Sequence, residues 1–177
     1  AVTGTNGKTT TSYLMRAAIA SRFPQASLCG TVEMHVGPIS FEAVRTTAEA
    51  PVIARFLAAT EQYECGAGVI ELSAHALSLH RVDGVVFDVA AFTNHLDYYG
   101  DMEHYFAAKA LLFTPEHSRA GVVCVDDKWG QRLAAEATVP VTTVSALSTT
   151  SADWQVRDIA PDQSIGRTVF TLVDPDG

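Results

Sequence analysis

The chain opens on Ala1-Val2-Thr3-Gly4-Thr5-Asn6-Gly7-Lys8-Thr9-Thr10-Thr11, and the reading of this stretch decides the fold. A short apolar strand over 1–3 runs into a turn with two glycines and then into a helical pattern over 8–21. That order is the context a phosphate-binding loop requires. Glycines let successive backbone N–H groups turn toward one point, the helix N-terminus adds about half a positive charge, and Lys8 supplies a full one. Thr9 would set its hydroxyl on a magnesium ion, and a nucleoside triphosphate is the expected ligand. The full spacing G-x-x-x-x-G-K-[ST] is not met, because Val2 stands five before Gly7, so the match is to the shorter G-T-x-G-K-T. A helix cap built on Thr5 and Asn6 is the competing explanation. The strand, both glycines, the lysine and three successive threonines together favour the phosphate loop.

Outward from this loop, apolar runs over 26–29, 68–72, 85–93, 121–125 and 141–144 alternate with helical patterns over 49–61, 102–113 and 127–137. Pro51 falls in the first turn of its helix, where a missing N–H is harmless. Such alternation predicts an α/β fold with a mostly parallel sheet and helices on both faces. After Ser145 a polar linker over 148–151 leads into two further strands, 154–159 and 167–173, which read as a small antiparallel C-terminal subdomain. The expected division is a core over 1–145 and the start of a subdomain over 146–177. Both ends read as cut, so a fragment of a longer protein is expected.

Composition narrows the classes of function. Of 177 residues, 47% are hydrophobic and 18% charged, which suits a globular domain and excludes disordered and collagen-like chains. The formal net charge of -8 argues against nucleic acid or an anionic membrane surface as partner, since both reward a basic excess. No apolar run approaches the roughly 18 residues of a membrane span, and no secretory signal opens the chain. Cys29, Cys65 and Cys124 form no C-x-x-C pair and read as reduced core thiols of a cytoplasmic protein.

Three further residues carry chemistry. Glu71 ends an apolar run, so it should face the same crevice as the phosphate loop, and its hard oxygens suit magnesium. Alone it would equally serve as a cap on the next helix. His95 follows another apolar run and reads either as a ligand or as an ordinary loop residue. The other histidines, His35, His75, His80, His104 and His117, lack H-x-x-x-H spacing, which leaves a zinc protease unsupported. Lys109 has large apolar residues three before, three after and four after it, which puts it on the buried face of its helix. Burial lowers a lysine's pKa, and a neutral amine reacts with carbon dioxide to give a carbamate, an anion able to bind metal. The competing outcome is a side chain that snorkels to the surface.

These residues together resemble the central ATPase domain of the Mur ligases, and within that family the MurE type, over nearly the whole chain. The resemblance rests on Gly4 to Thr11, on Thr46-Thr47-Ala48-Glu49-Ala50, on Glu71-Leu72-Ser73-Ala74-His75-Ala76-Leu77 with Arg81-Val82, and on His95-Leu96-Asp97-Tyr98-Tyr99-Gly100-Asp101-Met102 leading to Lys109. It implies that Gly4, Thr5, Asn6, Gly7, Lys8, Thr9, Thr10 and Asn94 bind ATP. Thr9 and Glu71 would hold one magnesium, and His95 with a carbamylated Lys109 a second. Thr46, Thr47, Ser73 and Arg81 would contact a UDP-MurNAc-dipeptide. The implied reaction phosphorylates that dipeptide's terminal carboxylate, and the amine of a free amino acid then attacks the acyl phosphate. Lys8, Glu71, His95 and Lys109 are the implied catalytic set. Domains that would receive the uridine nucleotide and the incoming amino acid are implied beyond this chain, and with them the choice between lysine and meso-diaminopimelate.

The pattern departs from the family in three places. Ala48 stands for the usual proline, and Ala74 for a second serine. The family carries four more residues between Thr-Asn and His-Leu-Asp, whereas here Asn94 abuts His95. Four residues span about 13 Å. The expectation is a loop left out of the numbered sequence, with a Cα separation at Asn94–His95 well above about 3.8 Å. Two alternatives are a folylpolyglutamate synthetase or cyanophycin-type ligase, which shares the phosphate loop, and a nucleotide-binding module without ligase activity.

Overall fold

The computed structural model describes residues 1–93, 102–147, 150–162 and 166–176. In chain order the elements are β1 (Val2–Gly4), α1 (Lys8–Ala20), β2 (Ser27–Cys29), β3 (Glu33–Val36), β4 (Ile39–Glu42), α2 (Ala50–Gln62), β5 (Gly68–Ile70) and α3 (Ala74–Ser78). They continue with β6 (Phe87–Thr93), α4 (Met102–Ala110), β7 (Ser118–Cys124), α5 (Lys128–Glu136), β8 (Val141–Ser145), β9 (Trp154–Asp162) and β10 (Arg167–Val173).

Two hydrogen-bonded ladders run in the orders β4-β3-β2-β5 and β1-β6-β7-β8-β9-β10. They meet at a parallel bridge between Val2 and Glu71, where the Leu72 N–H donates to the Val2 carbonyl at 2.8 Å. From β2 through β5, β1, β6, β7, β8 and β9 every pairing is parallel. Antiparallel pairing is confined to the two outer hairpins, β3–β4 and β9–β10, and to the junction of β2 with β3. Strand order reverses at β1, which lies between β5 and β6. A crevice opens at such a reversal, outside the carboxyl ends of the strands.

Alternation along the strands sorts the core into two layers. Val2, Leu28, Val69 and Ala91 pack against Tyr13, Met15 and Ile19 of α1. Their neighbours Cys29, Ile70, Ala90 and Phe92 join a second cluster with Ile53 and Phe56 of α2, Phe106 of α4, and Trp129 and Leu133 of α5. Because successive strand residues point to opposite faces, helices cover both sides of the sheet. An α/β fold with a mostly parallel sheet is what the alternating pattern predicts.

The structure also corrects the sequence reading. The hairpin β3–β4 was not expected; it turns at Gly37, whose φ of 54° is left-handed. Its strands are four residues each and β4 is exposed throughout, so the apolar signal is weak. The expected helix over 102–113 ends at Ala110 and tightens into a 3₁₀ turn, Leu111–Phe113. Cys29 and Cys65 are buried, but Cys124 is only half-buried rather than a core thiol. The C-terminal hairpin extends the main sheet, since Val144 and Ser145 of β8 pair with Trp154 and Gln155 of β9. No helix among the described residues is long and apolar enough to cross a membrane.

Candidate functional site

The loop between β1 and α1 is shaped by contact with the end of β6. A Cβ on Gly4, whose φ is 148°, would lie 1.6 Å from the Thr93 carbonyl oxygen. Only glycine lets the two backbones touch there. The Thr93 hydroxyl donates to the Asn6 carbonyl at 2.8 Å, and Gly7, at φ 82°, turns the chain into α1. Backbone donors at the start of α1 are thereby aimed into the crevice, the arrangement that receives anionic oxygens.

Lys8 curls over its own loop, its ammonium donating to the carbonyls of Gly4 at 3.0 Å and Thr5 at 3.1 Å. Burial draws its pKa below the usual lysine value, against the opposing pull of the Glu71 charge. From α4, Lys109 reaches the same loop and donates to the Thr5 hydroxyl oxygen at 2.9 Å. Lys109 does not snorkel: it is 6% exposed. Burial, and then the neighbouring Lys8 charge, pull its pKa down to about 8, with Asp127 acting the other way. Two cations therefore converge on one threonine, each destabilised by desolvation. They line a cavity of about 250 Å³ together with Thr5, Ser73, His75 and Tyr105.

Across the loop, Glu71 is fully buried. Its Oε2 accepts from the Thr9 hydroxyl at 3.0 Å and the Thr31 hydroxyl at 2.8 Å. Its Oε1 accepts from the Ser12 hydroxyl at 3.1 Å and the Thr31 N–H at 3.2 Å. Gly30 makes room for it, since a Cβ there would lie 2.3 Å from Oε1. Thr9 and Glu71 thus present a hydroxyl and a carboxylate side by side, hard oxygen donors that fit a magnesium ion. No group of three His, Cys, Asp or Glu side chains able to hold a metal occurs among the described residues. An ion bound here would take its remaining ligands from phosphate and water, as magnesium commonly does.

The residues assigned to the peptide substrate meet behind Glu71. Thr47 is buried; its hydroxyl donates to the Glu71 carbonyl at 2.9 Å and accepts from the Ser73 N–H at 2.9 Å. The Ser73 hydroxyl accepts from the Ala76 N–H at 3.1 Å and caps α3. Arg81 donates to the Thr47 carbonyl at 3.1 Å and pairs with Glu49 at 3.0 Å, while its buried Nε has no hydrogen-bond partner among the described residues. Thr46 is half-buried beside them. Thr47, Ser73 and Arg81 are therefore brought together, with Thr47 tied into the backbone. Thr10 follows Thr9 in the first turn of α1. Asn94, His95 and the expected separation between them lie outside the described residues.

Sequence reading missed Ser12, Thr31 and Thr93, which hold Glu71 and the loop. Their signal was weak, because hydroxyl residues at strand ends and in helices are common. Ser12 did lie one turn beyond Lys8 on the threonine-rich helix.

A parallel sheet whose first strand feeds a glycine-lined loop at the strand-order reversal, with lysine and carboxylate converging there, defines a phosphate-loop α/β domain. The chain belongs to the Mur ligase family: residues 2–176 match the Mur ligase middle domain. It is 44% identical over 180 residues to the UDP-N-acetylmuramyl-tripeptide synthetase of Leifsonia xyli, covering 99% of this chain and 35% of that protein. It is 44% identical over 182 residues to the UDP-N-acetylmuramoyl-L-alanyl-D-glutamate–2,6-diaminopimelate ligase of Streptomyces coelicolor, again covering 99% and 35%. A solved structure of a ligase of that same description superposes with a TM-score of 0.78 at 29% identity, covering 99% of this chain and 37% of its own. The chain thus spans about a third of the length of the curated relatives it matches.

Proposed function

We propose that this domain is the ATP-binding and phosphoryl-transfer core of a cytoplasmic ligase of peptidoglycan precursor synthesis, one that adds an amino acid to UDP-MurNAc-L-Ala-D-Glu. The observation that carries this reading is the meeting of Lys8, Thr9, Glu71 and Lys109 around one loop. The names of the relatives supply the substrate class, and three free thiols fit the compartment.

In this reading the loop amides from Gly4 to Thr10 and the Lys8 ammonium take the ATP phosphates. Lys8 exchanges its two carbonyl contacts for phosphate oxygens and neutralises charge that spreads over the transferred phosphoryl group. Thr9 and Glu71 would hold one magnesium, and Lys109 as a carbamate with His95 a second; bound there, the ions supply positive charge to the phosphates and the reacting carboxylate. His95 and the nucleotide contact of Asn94 are assigned on the resemblance alone.

Lys109 suits carbamate formation because its amine is neutral in an appreciable fraction near pH 8. The amine nitrogen bonds to the carbon of carbon dioxide and releases one proton, leaving an anion. That change turns a lysine pair into an ion pair with Lys8, and Thr5 reverses from acceptor to donor. Arg81, whose Nε has no partner among the described residues, and Ser73, Thr46 and Thr47 form the wall assigned to the UDP-MurNAc-dipeptide. No protein nucleophile takes part.

The test is phosphate release by the whole protein that carries this domain, with ATP, magnesium and UDP-MurNAc-L-Ala-D-Glu, adding lysine or meso-diaminopimelate in separate reactions. Release with one amino acid supports the reading and names the substrate. Release with folate and glutamate instead would move the assignment to a folylpolyglutamate-type ligase, and nucleotide binding without turnover would leave a binding module.

A further inference from the structure

Glu71 is the centre of a hydroxyl cluster whose members are not equivalent. The Thr9 hydroxyl gives Oε2 its single hydrogen and keeps its oxygen lone pairs for a cation. The Ser12 hydroxyl also has one hydrogen, and two acceptors compete for it: the Thr9 carbonyl at 2.8 Å and Glu71 Oε1 at 3.1 Å. Thr31 alone among these residues addresses both carboxylate oxygens, with its N–H on Oε1 at 3.2 Å and its hydroxyl on Oε2 at 2.8 Å. It comes from the short turn between β2 and β3, where Gly30 is packed against Glu71 Oε1 and its N–H donates to the Glu33 carbonyl at 3.0 Å.

We infer that Thr31 is the positioning residue for Glu71: its two-point contact fixes the rotation of the carboxylate so that Oε2 faces Thr9 and the divalent cation the pair would hold. The inference rests on the assignment of Glu71 and Thr9 to magnesium made above. Residues that orient a metal ligand are typically worth about 10- to 100-fold in metal affinity. Replacing Thr31 by valine removes the hydroxyl, keeps the branched shape and keeps the N–H. Thr31 then holds the carboxylate at Oε1 alone, and Oε2 keeps the Thr9 hydroxyl as its one remaining donor among these residues.

The experiment uses the whole protein that carries this domain, with Thr31→Val, Thr31→Ser and Glu71→Gln variants. Binding of Mn²⁺ is read by electron paramagnetic resonance, and binding of the non-hydrolysable analogue AMP-PNP by calorimetry with and without Mg²⁺. Thr31→Val is expected to weaken Mn²⁺ binding about tenfold and to remove most of the gain that Mg²⁺ gives AMP-PNP, with metal-free AMP-PNP affinity unchanged. Thr31→Ser restores both within about twofold, because the serine hydroxyl reaches the same oxygen. Equal losses with and without Mg²⁺, or an unaltered Mn²⁺ affinity in Thr31→Val beside a weakened one in Glu71→Gln, overturn the role of Thr31. Unaltered Mn²⁺ affinity in Glu71→Gln overturns the metal assignment itself and the inference with it.

Discussion

Lys109 and Thr5 are 104 residues apart in the chain, yet the lysine ammonium sits 2.9 Å from the threonine hydroxyl at the centre of the phosphate loop. Through this bond α4 is coupled to the loop by a buried charge beside a second charge, Lys8. The arrangement has a consequence for stability. With a folded pKa near 8 against 10.5 for an ordinary lysine, the unfolded chain binds more protons than the folded one between those values. The charged form opposes folding below pH 8, and that penalty fades as pH rises from 8 to 10.5.

Lys109→Met in carbon-dioxide-free buffer is therefore expected to be more stable than the unsubstituted protein at pH 7, by roughly 1–3 kcal/mol, as one pKa unit corresponds to about 1.4 kcal/mol. The gain should disappear near pH 10. Urea unfolding at the two pH values checks this; an equal difference at both would show that the lysine charge plays no part. Phosphate release should fall at least about 100-fold in the same variant at any pH.

Lys8→Ala should leave the fold intact, because among the described residues the ammonium bonds only to carbonyls of its own loop. On the proposed function, loss of the Lys8 charge should lower the rate of phosphoryl transfer by about 100- to 1,000-fold. Single-turnover measurements separate this from weaker nucleotide binding, and circular dichroism checks the fold. A change of less than about tenfold would remove Lys8 from the catalytic set.

Two glycines with positive φ give a matched comparison. Gly4→Ala drives a Cβ into the Thr93 carbonyl, so the loop and the end of β6 must part; a loss of about 3 kcal/mol or more is expected, with loss of AMP-PNP binding. Gly166→Ala meets nothing within 4 Å among the described residues, and its left-handed backbone costs about 1 kcal/mol. Thermal unfolding of both variants ranks them, and equal losses would show that the close approach to β6 is not what Gly4 supplies.

Thr47→Val keeps the side-chain shape and leaves the Glu71 carbonyl and the Ser73 N–H without their shared hydroxyl. A loss of about 1–3 kcal/mol is expected for stranding these buried groups. If Thr47 serves the dipeptide as well, KM for UDP-MurNAc-L-Ala-D-Glu rises more than kcat falls; steady-state kinetics at saturating ATP distinguishes a structural effect from a binding one.

Much of this was legible in the residues themselves. The phosphate loop is local: a strand, two glycines and a helix start are contiguous, and the backbone geometry they permit follows from glycine's freedom and the orphan amides of the first turn. The alternation of apolar runs and helical patterns likewise implied a mostly parallel sheet, and the apolar spacing around Lys109 implied a core-facing position. What remained open depended on contacts between distant segments. Spacing places Lys109 on the buried face of its helix, but neither that it stays buried nor that it ends on Thr5 follows from spacing. Glu71 reads as a strand-end carboxylate, whereas its hold by Thr31 and Ser12 exists only because β2, β5 and α1 pack side by side. The β3–β4 hairpin is too short and too exposed to leave a period-two signal, and it is stabilised by pairing with β2 rather than by its own pattern. Local steric preference determined the loop and the elements; burial, which removes water as a partner and forces each polar atom to find another, decided the site.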